Sequence, residues 1–184
     1  MSKVAIQGNA SGTGTFTIAA PNSNTDRTLT LPDEAGTVLT SASNAAFPAG
    51  SVIQVVQSTF SLAFSTSNTS PTSTGLAVTI TPKTATSKIL VLVTGNVRAT
   101  ASGGNGYVRT YLYRDGSNVW YGFAQVGNFN STDIRGGASV SFLDAPATTS
   151  PVTYDFRIDS IYASSVYLND GAGTSTITAI EVAA

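Results

Sequence analysis

Alternation of apolar and polar residues with a period of two runs through this chain, and it is cut at short intervals by turn-forming residues. In GLAVTITP, Leu76, Val78 and Ile80 alternate with Ala77 and Thr79 before Pro82 ends the run. A period of two puts those three side chains on one face of a strand, so the segment reads as a half-buried strand. In SKILVLVTGNVRA the residues from Ile89 to Val93 are all apolar, which predicts a central strand covered on both faces. YVRTYLYRDGSNVWYGFAQV reads as two strands around a turn at Arg114 to Ser117, because Asp115-Gly116 supplies the positive φ that a tight hairpin needs. Further strands are expected at Ile134–Leu143, Val152–Ile161, Ser165–Leu168 and Ser175–Val182. The links between them, such as DAPATTSP and NDGAGT, are short and rich in turn formers. No stretch of useful length carries a helical period. The expected fold is all-β: an antiparallel β-sandwich or jelly-roll domain.

Composition agrees with that reading. Charged residues make up 10% of the 184, against roughly a quarter in ordinary globular proteins. Ser, Thr, Asn and Gly take the surface positions that Lys and Glu hold on helices. Composition also shifts at SASNAAFPAG, Ser41 to Gly50. We divide the chain into an N-terminal arm (1–44), a linker (45–49) and a β-domain (50–184). The arm has few large apolar residues, namely Phe16, Ile18, Leu29, Leu31, Val38 and Leu39. A segment so short and thin closes no core of its own. It is expected to be an extended β-arm completed by the β-domain, by another copy, or by a different protein.

Several function classes drop out. The net charge is −1 and no basic run is present, which argues against nucleic-acid binding through phosphates. The longest strongly apolar run, Ile89 to Val93, is far short of a membrane span, and MSKVAIQGNASG lacks the apolar stretch of a signal peptide. Synthesis in a cytoplasm without membrane insertion is expected. Cysteine and histidine are both absent, which removes disulfides, thiolate metal sites and the commonest general base. Lysine occurs at positions 3, 83 and 88, with no Ser-x-x-Lys pattern. Asp155 and Asp159 share a strand face at roughly 13 Å along the strand, whereas a glycosidase pair needs about 5 to 9.5 Å. With Arg157 between them they read as a solvated face of alternating charge. NDGAGTST lacks the spaced acidic series of a calcium loop. Neither GTGTF nor GGNG matches a phosphate-binding loop. We expect no catalysis, no cofactor and no metal.

The aromatics are the candidate site. Tyr107, Tyr111, Tyr113, Trp120 and Tyr121, with Phe123, gather around the Asp115-Gly116 hairpin. Tyr111 and Tyr113 share a strand face with Arg109. Such a cluster suits glycan or protein recognition, and it also suits a sandwich core or a subunit interface.

The segment GTGTFTIAAPNSNTDRTLTLPDEAGTVLT (12–40) resembles a motif of structural proteins of tailed bacteriophages, particularly those of aquatic bacteria and cyanobacteria. GSVIQVVQ, STGLAVTITPKTATSKILVLVTGNV, SFLDAPATTSPVTYDFRI and the ending TITAIEVAA resemble, in order, the tail-fibre-type domain that follows it. The resemblance covers nearly the whole chain. It implies a non-enzymatic virion protein, assembled in the bacterial host cytoplasm and usually a homotrimer. The implied partners are further copies, a baseplate, tail or major capsid protein, and a host-surface glycan or protein. Almost nothing precedes the motif here, which suits a short fibre or a capsid decoration (cement) protein. A tailspike-like hydrolase would need Asp144, Asp155 or Asp170 brought together in a cleft. A free-standing carbohydrate-binding module would be a monomer.

Overall fold

The computed structural model describes residues 47–100, 107–125, 133–161, 163–171 and 173–184, together with separate positions between 11 and 35. It divides into two compact units, Met1–Thr37 and Val38–Ala184. In the first, the described positions are exposed and carry no strand, and the Thr25 amide donates to Ser23 Oγ. Phe16, Ile18, Leu29, Leu31, Val38 and Leu39 lie outside the described residues, as does most of the 41–49 stretch.

The second unit is built of antiparallel strands with no helix among the described residues. They are β1 (Val52–Phe60), β2 (Phe64–Thr66), β3 (Thr72–Ile80), β4 (Lys88–Thr100), β5 (Tyr107–Arg114), β6 (Ser117–Gln125), β7 (Asp133–Asp144), β8 (Val152–Asp159), β9 (Ser165–Leu168) and β10 (Ser175–Val182). One sheet runs β1-β10-β4-β9-β2 with β7 also paired to β4, and the other runs β3-β8-β5-β6. Their inward faces share one core. Leu76, Val78 and Ile80 of β3 and Tyr154, Phe156 and Ile158 of β8 join Ile89, Val91 and Val93 of β4 and Ile177 of β10. All of these are buried because alternate residues along each strand point inward.

The long strand β4 organises the larger sheet. Along one edge it pairs with β7 from Ile89 to Thr100. Along the other it pairs first with β10 (Lys88 to Thr94) and then with β9 (Val97 to Thr100). The loop from Asn169 to Thr174 falls where that edge passes from β9 to β10, opposite Gly95 and Asn96. It is pinned there: the Asn169 amide donates to the Asn96 carbonyl, Asn169 Nδ2 donates to the Phe60 carbonyl at 2.6 Å, and Ser175 Oγ donates to Asn169 Oδ1 at 2.7 Å. Gly95 allows this packing, since a Cβ there would sit 2.7 Å from Ser175 Oγ.

All of the expected strands are present, and β1 and β2 are added to them. β4 is central, but Leu90 and Leu92 on its outer face are only half-buried, so its two faces are not equally covered. β8 ends at Asp159, two residues earlier than expected, because the Ser160 amide turns aside to the Asn68 carbonyl. The hairpin turn lies at Asp115 (φ 48°) and Gly116 (φ 85°), as its residue types require.

Candidate binding face

The outer face of β8-β5-β6 is an ordered lattice of aromatic and charged side chains. Strand register builds it in rows. Phe123, Arg109 and Asp159 stand opposite one another, as do Tyr121, Tyr111 and Arg157. Tyr113 faces Asp155, which faces Ala77 of β3. Tyr107, Arg109, Tyr111 and Tyr113 alternate along β5, so all four project to this side while Val108 and Leu112 enter the core.

Asp159 is the anchor of the lattice. It is 1% exposed. Arg109 reaches it with both arms of its fork, at 3.0 Å and 2.6 Å, and Tyr111 Oη donates to it at 2.6 Å. Burial, reinforced by that hydrogen bond to a carboxylate, pushes the Tyr111 hydroxyl well above its ordinary pKa. Beside it, Arg157 Nε donates to Asp155 at 2.7 Å and its guanidinium lies over the Tyr113 ring, 4.1 Å from the centroid. Ser73 Oγ donates to the other Asp155 oxygen at 2.7 Å.

Above this base sit the exposed rings. Tyr121 is 64% and Phe123 56% exposed. Tyr121 leans on Tyr111 at 6.4 Å, Tyr113 meets Tyr111 edge-on at 6.4 Å, and Phe123 meets Tyr107 edge-on at 6.3 Å. Rings held edge-to-face on a hydrogen-bonded floor lose little freedom on binding a partner.

The sequence left these aromatics between a recognition face and the core, and the structure divides them between the two. Trp120 does not join Tyr107, Tyr111, Tyr113 and Tyr121. It projects inward against the core, with its indole over Gly122, where a Cβ would come within 2.5 Å of the ring. The signal was present: Trp120 and Gly122 have one strand parity, Tyr121 and Phe123 the other. Nor is Asp155-Arg157-Asp159 simply a solvated stripe, because Asp159 is buried beneath Arg109 and Tyr111. Cross-strand partners, invisible to a reading along β8 alone, cause that burial.

The carboxylates considered for hydrolysis are each engaged by different arginines. Asp144 binds Arg114 at 2.9 Å and accepts from Tyr154 Oη at 2.7 Å. Asp155 is tied to Arg157, and Asp170 to Arg98 and Arg135. Among the described residues no group of three acidic side chains could hold a metal ion, and no helix is long and apolar enough to cross a membrane.

A second feature escaped the sequence reading. A cleft of about 340 Å³ opens on the outer face of the six-stranded sheet, lined by Asn96, Arg98, Arg135, Asp170, Gly171 and Gly173 among others. Hydrogen bonds to Asp133 and then Asp170 raise the Arg98 pKa, and the same Arg98 contact holds Asp133 below the usual carboxylate value.

Fold and site together define an all-β, two-sheet domain with a preorganised aromatic face. No family model matches the chain, and no curated protein matches it. Solved structures give distant likenesses. Dimeric latent PorU from Porphyromonas gingivalis is 11% identical over 76% of this chain, with a TM-score of 0.37. The VP2 subviral particle of infectious bursal disease virus is 19% identical over 73%, with a TM-score of 0.29. The structure of that virus's Gx strain is 14% identical over 72%, with a TM-score of 0.28. The chain spans 14%, 38% and 41% of those three chains respectively.

Proposed function

We propose that this chain is a non-enzymatic structural protein of a phage virion: a trimeric, jelly-roll-type tail-fibre appendage. Residues 1–44 anchor it, and the β-domain faces outward to meet a glycan or protein of the host surface. The observation that carries the attachment role is the exposed aromatic face of β5 and β6, backed by the buried Asp159 network. Exposed Tyr and Phe on a rigid floor suit recognition. The non-catalytic reading is supported by the ion pairs that engage Asp144, Asp155 and Asp170, each with a different arginine partner. The resemblance of residues 12–40 to the phage motif supplies the virion setting and the trimer.

A second reading, a capsid decoration protein at capsomer junctions, is favoured by one observation. On the outer face of the six-stranded sheet, Val55, Ile180, Leu90 and Leu143 stand in one cross-strand row over four strands. Val55 is 58% and Leu143 52% exposed. A contiguous apolar row of this kind suits a protein–protein contact.

Quantitative mass spectrometry of purified particles separates the two. Copies in the hundreds mean decoration, and a small multiple of three or six means a tail position. For attachment, the double variant Tyr121→Ala/Phe123→Ala is expected to reduce adsorption of otherwise intact particles at least tenfold. Unchanged adsorption with normal incorporation would sink the receptor role.

A further inference from the structure

Arg98 of β4 and Arg135 of β7 stand directly opposite one another on the outer face of the larger sheet. Like charges in direct cross-strand opposition are unfavourable, and a chain with only nine Lys and Arg has placed two of them here. Tyr167 of β9 continues the row on the other side of Arg98, whose guanidinium lies 4.7 Å from its ring centroid. Arg98 is held by two carboxylates: its Nε donates to Asp133 at 2.5 Å and its Nη1 to Asp170 at 2.6 Å. Arg135 is not held so tightly. It reaches the Asp170 carbonyl and carboxylate at 3.3 Å each, and its side chain stays 60% exposed.

Between the two arginines lies the cleft. Its volume of about 340 Å³ falls in the lower part of the range for small-molecule sites, about 300–1,000 Å³. Its opening depends on glycine. A Cβ at Gly173 would come 2.8 Å from Asn96 Nδ2, and Gly171 holds a φ of 83° that a side chain would strain. The lining therefore sets guanidinium and amide donors beside carboxylate acceptors: Arg135 and Asn96 next to Asp170, with Asp133 behind Arg98. The formal charge of Arg98, Arg135, Asp133 and Asp170 cancels, so the cleft offers no net attraction to an anion or a cation. Adjacent donors and acceptors in a neutral, open cleft match a ligand whose neighbouring groups each donate and accept, as vicinal hydroxyls do.

We propose that this cleft is a binding site for a neutral mono- or disaccharide, with Arg135, Asn96 and Asp170 contacting vicinal hydroxyls and Arg98 fixing Asp170 in place. The site lies on the opposite sheet from the aromatic face and does not rest on the attachment reading. A soluble chain binds or fails to bind sugar here whatever its place on a particle.

The test is an NMR titration of the full chain with a panel of neutral hexoses, N-acetylhexosamines and their disaccharides, with uronic acids as a second arm. The expected result is weak, saturable binding, with Kd on the order of 1 mM, that shifts the amides of Asn96, Arg135, Gly171 and Gly173. Arg135→Ala and Arg135→Lys, both at an exposed position, should each weaken it at least fivefold, the lysine variant because it keeps the charge but not the fork. No shift at those amides with any neutral sugar, binding confined to uronic acids, or full affinity in both Arg135 variants would each overturn the assignment.

Discussion

Asp159 is 1% exposed, so its side-chain oxygens rely on protein partners in place of water. Arg109 and Tyr111 supply three of its hydrogen bonds. Removing one side of a buried ion pair strands the other, so Arg109→Ala is expected to cost about 3–5 kcal/mol. Tyr111→Phe removes only a hydrogen bond to a charged group and should cost about 1.5–3 kcal/mol. Urea denaturation of both variants checks the order. If Arg109→Ala proves the milder change, Asp159 is not anchored as described. Tyr154 shows a related effect. Burial, then its bond to Asp144, raises its hydroxyl pKa above the ordinary value of 10.0. The folded state thus favours the protonated phenol. The stability Tyr154 contributes is complete below pH 10 and is lost as pH rises through its folded-state value. Tyr154→Phe should therefore show a shallower loss of stability above pH 10 than the parent, measured by denaturant midpoints across alkaline pH. Asp133 behaves in the opposite sense. Its depressed carboxyl favours the folded state above 3.8 and ceases to do so as pH falls through its lower folded value. Carboxyl NMR should place its midpoint below 3.8.

At the scale of elements, the joint between β9 and β10 concentrates strain-sensitive positions. Asn169 holds a φ of 57° and bonds to Phe60 and Ser175 at once. Asn169→Gly keeps the conformation but drops both side-chain bonds, and should cost about 1–3 kcal/mol. Asn169→Ala adds the backbone penalty and should be worse. Gly95→Ala drives a methyl against Ser175 Oγ and should cost about 1–3 kcal/mol. Thermal melts rank the three. None of this was legible in the sequence, because Gly95, Asn169 and Ser175 are joined only by the way two strands share one edge of β4. Most strands were legible, since Leu76, Val78 and Ile80 declare their face by alternation, and Asp115-Gly116 declares its turn, but β1 (Val52–Phe60) was not read as a strand. β2 is three residues long and too short to show a period. The aromatic face was half legible: the residues of β5 were read correctly as one side, but Trp120 was grouped with Tyr121 by proximity when parity separates them. The cleft was not legible at all, because Arg98 and Arg135 meet only through the β4–β7 register.

For the whole molecule, the β-domain has two dissimilar outer faces. One presents Tyr121 and Phe123. The other carries the apolar row Val55, Ile180, Leu90 and Leu143 at one end, and the charged cleft around Arg98 and Arg135 at the other. Such asymmetry suits a part with an inward and an outward side. Among the described residues, the buried core drawn from β3, β4, β8 and β10 falls within residues 76–179, which gives the β-domain a core of its own. We therefore expect a chain lacking residues 1–44 to keep the cooperative unfolding of the full chain, with a midpoint within a few degrees. If the apolar row meets another protein of the particle, replacing two of its members with charges, Val55→Lys and Leu143→Glu, should leave the isolated domain folded, since both side chains are more than half exposed. The same double variant should reduce incorporation into particles, measured against the arm deletion. Loss on arm deletion alone would make residues 1–44 the anchor and leave the row as ordinary surface. Loss with the double variant alone would move the anchor to the sheet, and would favour the decoration reading over the tail.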